Sequence, residues 1–334
     1  MGTFIKEIIK LSQKIRIGIV GYGNLGKGVE LSIKQNEDME LVAIFTRRNP
    51  NSLDNPFMES INNIESYKDK IDVMILCGGS ATDLPEQTPE IAQIFNTVDS
   101  FDNHVNIPLH FQNVDKVGRE NGTLNLISAG WDPGLFSIYK LMGEAILPVG
   151  SSYAFWGEGI SQGHSDAIRR IDGVIDAKQY TIPIKKALDR IKSGETPEFT
   201  PREKHLRVCY VVAEPEASKS KIEEEIKTMP NYFDEYDTEV NFISKEELDQ
   251  EHSGMPHGGH VIRTGTSENG TKQIMEFDLK LDSNPEFTSS ILVAFARAVQ
   301  RLHNQGNIGC ITVFDVPLAM LSIKSGDQLR KDLL

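Results

Sequence analysis

Residues 15–26 read IRIGIVGYGNLG, a short apolar run that ends on Gly21-Tyr22-Gly23-Asn24-Leu25-Gly26 and opens into a helical stretch over 24–35. The glycine spacing means little alone. Between a strand and a helix it leaves the chain few options. Gly21 permits a tight turn, Gly23 lets the backbone approach a pyrophosphate, and Gly26 lets the helix lie close to the strand. The first helical turn then offers free N–H groups and a partial positive charge to phosphate. A dinucleotide site built on Gly21, Gly23 and Gly26 is the expectation.

The end of the next strand selects the dinucleotide. An NAD site usually carries an acid about 20 residues on, for the ribose hydroxyls. Here the strand 41–46 (LVAIFT) closes on Thr46-Arg47-Arg48; Glu40 precedes it and Asp54 lies well beyond. A carboxylate repels a 2′-phosphate, whereas two guanidiniums and a threonine hydroxyl hold one. This selects NADP.

The alternation continues with strands at 71–77 (IDVMILC), 97–101 and 123–128 and helices at 84–95 and 114–121. Apolar strands separated by helices form a parallel sheet covered on both faces, and right-handed crossovers make it doubly wound. The fold class is therefore α/β, with a Rossmann-type parallel sheet. Past about residue 148 the texture changes. Longer strands at 152–156, 174–183, 206–213, 238–244, 260–266 and 274–281, with helices at 185–192 and 218–228, suggest an α+β substrate domain on a mostly antiparallel open sheet. In 286–304, Phe287, Ile291, Leu292, Phe295, Ala298, Val299 and Leu302 share one helical face. The expected division is 1–150 for the dinucleotide, 151–285 for the substrate, and 286–334 returning to the first domain.

Composition excludes several classes. The 334 residues are 39% hydrophobic and 25% charged, ordinary for a folded globule. A net charge of −13 argues against a nucleic-acid partner. No window approaches the ~18 apolar residues of a membrane span. Cys77, Cys209 and Cys310 are few, odd in number and without CxxC spacing, so neither a disulfide framework nor a zinc site is indicated, and a reducing, cytoplasmic compartment fits. Lys6, Glu7 and Lys10 interrupt what would be a signal-peptide core. Phe4, Ile5, Ile8, Ile9 and Leu11 are spaced as one face of a short amphipathic helix.

Chemistry-bearing residues collect after the strands. Gly78, Gly79, Ser80, Ala81 and Thr82 follow the third strand, where small residues let a ligand lie against the backbone. Phe101-Asp102-Asn103-His104 follows the fourth and Gly130-Trp131-Asp132-Pro133-Gly134 the fifth. Asp102 and Asp132 can hold an ammonium group beside a nicotinamide; Asp132 can equally cap a helix with Pro133 in its first position. Gly159-x-Ser161-x-Gly163 has the spacing of a hydrolase elbow, but that motif needs a strand running directly into the turn and a helix after it, so a glycine-rich substrate loop is expected instead. Gly and Pro around His252, His257 and His260 argue against a helical two-histidine metal face, and no metal is expected; a polar contact to ligand from one histidine is. Arg207, in an apolar strand, wants a carboxylate from the protein or from a ligand.

VGYGNLG (20–26), SATD (80–83), DNH (102–104), GWDPG (130–134), SQGHSD (161–166), GMPHGGHV (254–261) and KLDSNP (280–285) together resemble the meso-diaminopimelate dehydrogenases, from about Arg16 to Pro317. The resemblance implies an NADP-dependent enzyme of lysine biosynthesis, specific for a D-stereocentre, with a second domain that binds substrate and forms a homodimer. It implies that Tyr22 to Leu25, Thr46, Arg47, Arg48 and the loop Ala81, Thr82, Asp83, Leu84 bind NADPH. His104 and Pro133, Gly134, Leu135, Phe136 and Ser137 would line the nicotinamide. Asp102, Asp132 and Trp156 would surround the reacting amino centre, and Gln162 and Gly163 would contact the substrate backbone. Thr181, Arg207, His257 and Asn284 would hold its distal end. The substrate it implies is meso-diaminopimelate, with ammonia as a product. Two other readings remain at this stage: an NADP oxidoreductase of another amino acid, and a catalytically silent NADP-binding sensor.

Overall fold

The computed structural model describes residues 14–334; the amphipathic face suggested for Phe4 to Leu11 lies outside them. The strands are β1 Ile15–Val20, β2 Met39–Thr46, β3 Met58–Ser60, β4 Val73–Leu76, β5 Asn96–Asp99, β6 Leu124–Leu126, β7 Gly150–Trp156, β8 Gly159–Ile160, β9 Val174–Pro183, β10 His205–Ala213, β11 Asp237–Phe242, β12 His257–Thr266, β13 Lys272–Leu281 and β14 Gly309–Ile311. The chain divides into two units. One comprises the described residues up to Ile138 together with Pro285–Leu334, the other Tyr139–Asn284. The division falls inside the helix Leu135–Ile146, ahead of the change in texture near 150, because that helix runs on across it.

In the first unit seven strands form one sheet in the order β14-β6-β5-β4-β1-β2-β3, and every pairing is parallel. Strands 3-2-1-4-5-6 are the Rossmann order, whose switch point lies between β1 and β4. β4 is buried throughout and the last four residues of β1 are too, as a sheet covered on both faces requires. β3 and β14 escape a sequence reading because three residues show no period. The helix Ile107–Asn121 starts earlier than its apolar spacing suggests, with Pro108 in its first turn, and ends where Gly122 (φ 73°) donates its N–H to the Gly118 carbonyl. The C-terminal helix Asn284–His303 packs here: Ser289 Oγ donates to the Leu25 carbonyl at 2.8 Å, and the buried Arg297 grips Asp38 at 2.6 and 2.7 Å.

The second unit is α+β with mostly antiparallel pairing, but its strands form two sheets rather than one open sheet: β11-β10-β9-β8 and β13-β12-β7. The β10–β11 pair is parallel, the other pairs antiparallel. Ile168, Ile222 and Ile226 come from two helices and cover Ala177, Cys209 and Val211. Among the described residues no helix is long and apolar enough to cross a membrane.

Candidate active site

In the first unit Gly21 and Gly26 do what their spacing asks. Gly21 has φ +93°, and a Cβ on it would stand 3.1 Å from the Cys77 carbonyl; on Gly26 it would stand 2.1 Å from the Gly21 carbonyl. A Cβ on Gly23 meets nothing within 4 Å. The protein itself therefore does not require glycine at 23; a ligand brought up to the N-terminus of Asn24–Lys34 would. The crevice there, about 340 Å³, is lined by Gly21, Tyr22, Gly23, Thr46, Arg47, Arg48, Gly78, Gly79 and Asp83 among others. It fits a dinucleotide with its phosphates against the helix and its ribose toward the two arginines.

The polar partners in the crevice were not legible in the sequence. Arg48 donates to the Tyr22 carbonyl at 2.8 Å, and its own N–H reaches Thr46 Oγ1 at 3.1 Å. The end of β2 carries no acid, yet one arrives from the far side: Asp83 pairs with Arg47 at 2.9 Å while accepting from the Gly79 N–H. Tyr22 donates to Glu30 at 2.6 Å, and burial together with that bond raises its phenol pKa. Leu84 and Phe136 are fully buried in the core, Phe136 edge-on to Trp131, so only their backbones are available to a ligand.

Two carboxylate loops follow β5 and β6. Asp102 is exposed, and its N–H donates to Ser80 Oγ at 2.8 Å, which ties the loop after β5 to the loop after β4. His104 opens a single 3₁₀ turn, His104–Asn106. Gly130 to Gly134 makes a tight turn in which Leu135 N–H donates to the Gly130 carbonyl and Gly134 N–H to Ser137 Oγ. The helix begins at Leu135. Asp132 is thus not its adjacent cap, nor Pro133 its first residue: the turn, at Gly134 φ 132°, uses up the intervening positions.

The second unit gathers the remaining candidates. Arg207 on β10 lies directly opposite Thr181 on β9 and donates to its hydroxyl. Gly159 on β8 pairs with Thr181 from the other side, and a Cβ there would lie 2.3 Å from the Cα of His257. Trp156, at the end of β7, donates its backbone N–H to His205 Nε2 at 3.0 Å and stacks on that ring. Gln162 Nε2 lies 2.9 Å from Met255 Sδ, and the Met255 carbonyl accepts from the Asn284 N–H at 3.0 Å. A Cβ on Gly163 would meet open space.

The electrostatics of this cluster are one-sided. Arg207 is only 7% exposed, and its guanidinium lies 4.0 Å over the Tyr236 ring. Its Nε has no partner, and among the described residues no carboxylate pairs with it. Burial disfavours its charge, with Tyr236 working the other way. Burial pushes His205 down to about 3, with Lys204 and Arg207 adding, and His164 down to about 4, with Arg207 adding. Both imidazoles are held neutral around a cation that lacks a counter-charge. A site of this charge suits an anion.

Residues 157–166 are not a glycine-rich loop. β8 runs to Ile160, Ser161 caps the helix Gln162–Arg169, and its hydroxyl sits 2.6 Å from His164 Nδ1. The strand and helix of an elbow are present after all. The serine, however, takes an ordinary extended conformation and its hydroxyl is used as a cap. His205, Tyr236 and Met255 were missed by sequence reasoning. His205 had a signal, since it shares a strand face with Arg207 two residues on; Tyr236 and Met255 join through tertiary contacts alone. Of the other histidines, His252 bonds to Tyr180 and His260 to Asp278.

Comparisons with known proteins agree on one family. Residues 130–283 match the diaminopimelic acid dehydrogenase C-terminal domain. A meso-diaminopimelate D-dehydrogenase of Ureibacillus thermosphaericus is 63% identical over 324 residues, covering 96% of this chain and 99% of that protein. The crystal structure of a sixfold-substituted meso-diaminopimelate dehydrogenase from Clostridium tetani, with diaminopimelate, superposes at TM-score 0.93 with 59% identity, covering 96% of this chain and all of that one. An engineered D-amino acid dehydrogenase bound to NADP+ superposes at 0.86 with 44% identity and the same coverage. With near-complete coverage of these proteins, a Rossmann sheet carrying two aspartate loops, and a second unit holding a buried arginine with no carboxylate partner among the described residues, the chain belongs to the meso-diaminopimelate dehydrogenase family.

Proposed function

We propose that this chain catalyses the reversible, NADP-dependent oxidative deamination of meso-2,6-diaminopimelate at its D-centre, giving L-2-amino-6-oxopimelate and ammonia, in lysine biosynthesis. The observation that carries the substrate is Arg207, a buried guanidinium with no carboxylate among the described residues, in a chain whose relatives are named for a dicarboxylate. The C. tetani variant replaces a Gln, a Thr, an Arg, a Pro, a His and an Asn. The same residue types, in the same order and spacing, are Gln162, Thr181, Arg207, Pro256, His257 and Asn284 here. The parallel supports counting Pro256 with the substrate residues.

Arg207 and Thr181 hold the distal carboxylate, and His257 and Asn284 its amino-acid end. Trp156, Gln162 and Gly163 bear on the middle and the reacting end. Gly21 to Leu25 hold the cofactor's phosphates and Thr46, Arg47 and Arg48 its 2′-phosphate; Ser80 to Leu84, His104 and Pro133 to Ser137 complete the site. When bound, NADP+ supplies the hydride acceptor. Only the neutral amine releases hydride readily, so a proton must leave the ammonium. Asp102 and Asp132 hold that group, and one of them passes its proton to water. Water then adds to the imine carbon and ammonia departs. Selectivity for the D-centre follows from positioning, because a chain clamped at its far end presents one hydrogen only. The protein acts as a cytoplasmic homodimer, a reading that rests on the family resemblance and the cysteine pattern.

The test is initial rates with NADP+ and meso-, L,L- or D,D-diaminopimelate. Turnover of the meso isomer well above the L,L isomer is expected. Equal rates on L,L and meso would refute the stereochemical assignment, and no turnover of any isomer the enzymatic one.

A further inference from the structure

Asp102 and Asp132 stand on separate loops, and nothing in either loop's own sequence sets one against the other. The link is a third aspartate. Asp99 ends β5 and is fully buried. Its Oδ1 accepts the backbone N–H of Phe101 at 3.0 Å and of Ser128 at 2.9 Å. Its backbone carbonyl accepts the N–H of Ala129 at 2.9 Å. One residue therefore binds the loop leading to Asp102 and the loop leading to Asp132. The carboxylate is itself aimed: Oδ2 accepts from Thr88 Oγ1 at 2.8 Å and from His110 Nε2 at 2.8 Å. The His110 ring in turn stacks on Phe101 at 4.2 Å.

Ser128 shows how far this bond directs the backbone. It is one of two non-glycine residues with positive φ among those described, at 59°. A side-chain-bearing residue holds that conformation only where its surroundings demand it. Its own hydroxyl is buried and unpartnered, so its N–H bond to Asp99 is the polar anchor at that point. A buried carboxylate with four donors is costly to assemble. An apolar side chain there would leave the buried N–H groups of Phe101 and Ser128 without this acceptor. The geometry serves the loops.

We propose that Asp99 is a positioning residue for the deamination: through Oδ1 and its carbonyl it fixes the spacing of the Asp102 and Asp132 loops. This rests on the function proposed above. The role is geometric, so the amide isostere should carry it. In Asp99→Asn the oxygen keeps both loop N–H groups, while the amide nitrogen faces a threonine hydroxyl and an imidazole, each able to turn into an acceptor.

Steady-state kinetics and hydrogen–deuterium exchange on the full-length protein test it together. Asp99→Ala is expected to lower kcat on meso-diaminopimelate about tenfold or more, with KM for NADP+ changed less than about threefold. It should speed exchange in 100–104 and 127–134 but not in 20–30. Asp99→Asn should keep kcat within about threefold of the parent and leave exchange unchanged. A folded Asp99→Ala protein with parental kcat overturns the proposal. So does an Asn variant that loses as much as the Ala variant, since charge rather than geometry would then be required. Should Asp99→Ala fail to fold, His110→Phe takes its place: it keeps the ring stack on Phe101 and removes one bond that aims the carboxylate. A lowered kcat with faster exchange in the same two segments supports the proposal, and parental values overturn it. If the unsubstituted protein turns over no diaminopimelate, the proposed function fails and exchange alone decides the staple: faster in both segments supports it, unchanged overturns it.

Discussion

A guanidinium 7% exposed, stacked on Tyr236 and bonded to Thr181, pays for its burial with no carboxylate partner among the described residues. That cost should be relieved when substrate binds. Arg207→Met is therefore expected to raise KM for diaminopimelate by the equivalent of about 2–5 kcal/mol, with NADP+ binding intact and the ligand-free protein no less stable; kinetics and thermal unfolding together check this. His164 and His205 add a pH dependence. An unfolded histidine titrates near 6.5, whereas burial holds these two at about 4 and about 3. Below 6.5 the unfolded chain takes up protons that the folded one refuses. Their contribution to stability is thus complete above 6.5 and is lost as pH falls toward 4, at up to about 1.4 kcal/mol per unit for each group. Urea midpoints that stay level from pH 7 to 4.5 would contradict it. At the cofactor end, replacing Arg47 and Arg48 together should weaken NADP+ binding and spare NAD+. Fluorescence titrations that fall equally for both would remove the 2′-phosphate assignment.

Elements place these residues, and they were unevenly readable. β9 and the helix Lys185–Lys192 have the bounds that their period suggests, because a ten-residue strand and a strongly two-faced helix repeat long enough to be seen. β8 was not readable: two residues, the first of them a glycine, carry no pattern. Yet β8 seats His257, since Gly159 lies where no side chain fits. Gly159→Ala must push β8 off the start of β12. It is expected to raise KM for diaminopimelate at least about tenfold while leaving KM for NADP+ nearly unchanged, a local overpacking cost of about 1–3 kcal/mol. A variant with parental KM for diaminopimelate would show that β8 does not shape the site.

At the scale of the whole chain, the C-terminal segment closes the first unit. β14 extends its sheet at one edge, and Arg297, 3% exposed, bonds Asp38, Asn36 and the Leu321 carbonyl. Arg297→Ala leaves Asp38 without its cation, whose hydrogen bond and charge offset burial and keep that carboxyl's pKa low. A loss of about 2–4 kcal/mol is expected, read as a lower urea midpoint for the whole first unit. An unchanged midpoint would mean that the C-terminal segment is only draped on the sheet. The amino-acid sequence alone determined the Rossmann sheet, the glycine-rich turn after β1 and the family, because each rests on neighbours along the chain: glycine spacing, strand period, motif strings. Folding decided the rest. That Asp83 reaches Arg47, that Arg207 stays without an acid while His164 and His205 stay neutral, and that Asp99 joins two loops depend on side chains brought together from distant positions, and burial, which sets their charge, exists only once the chain has closed around them.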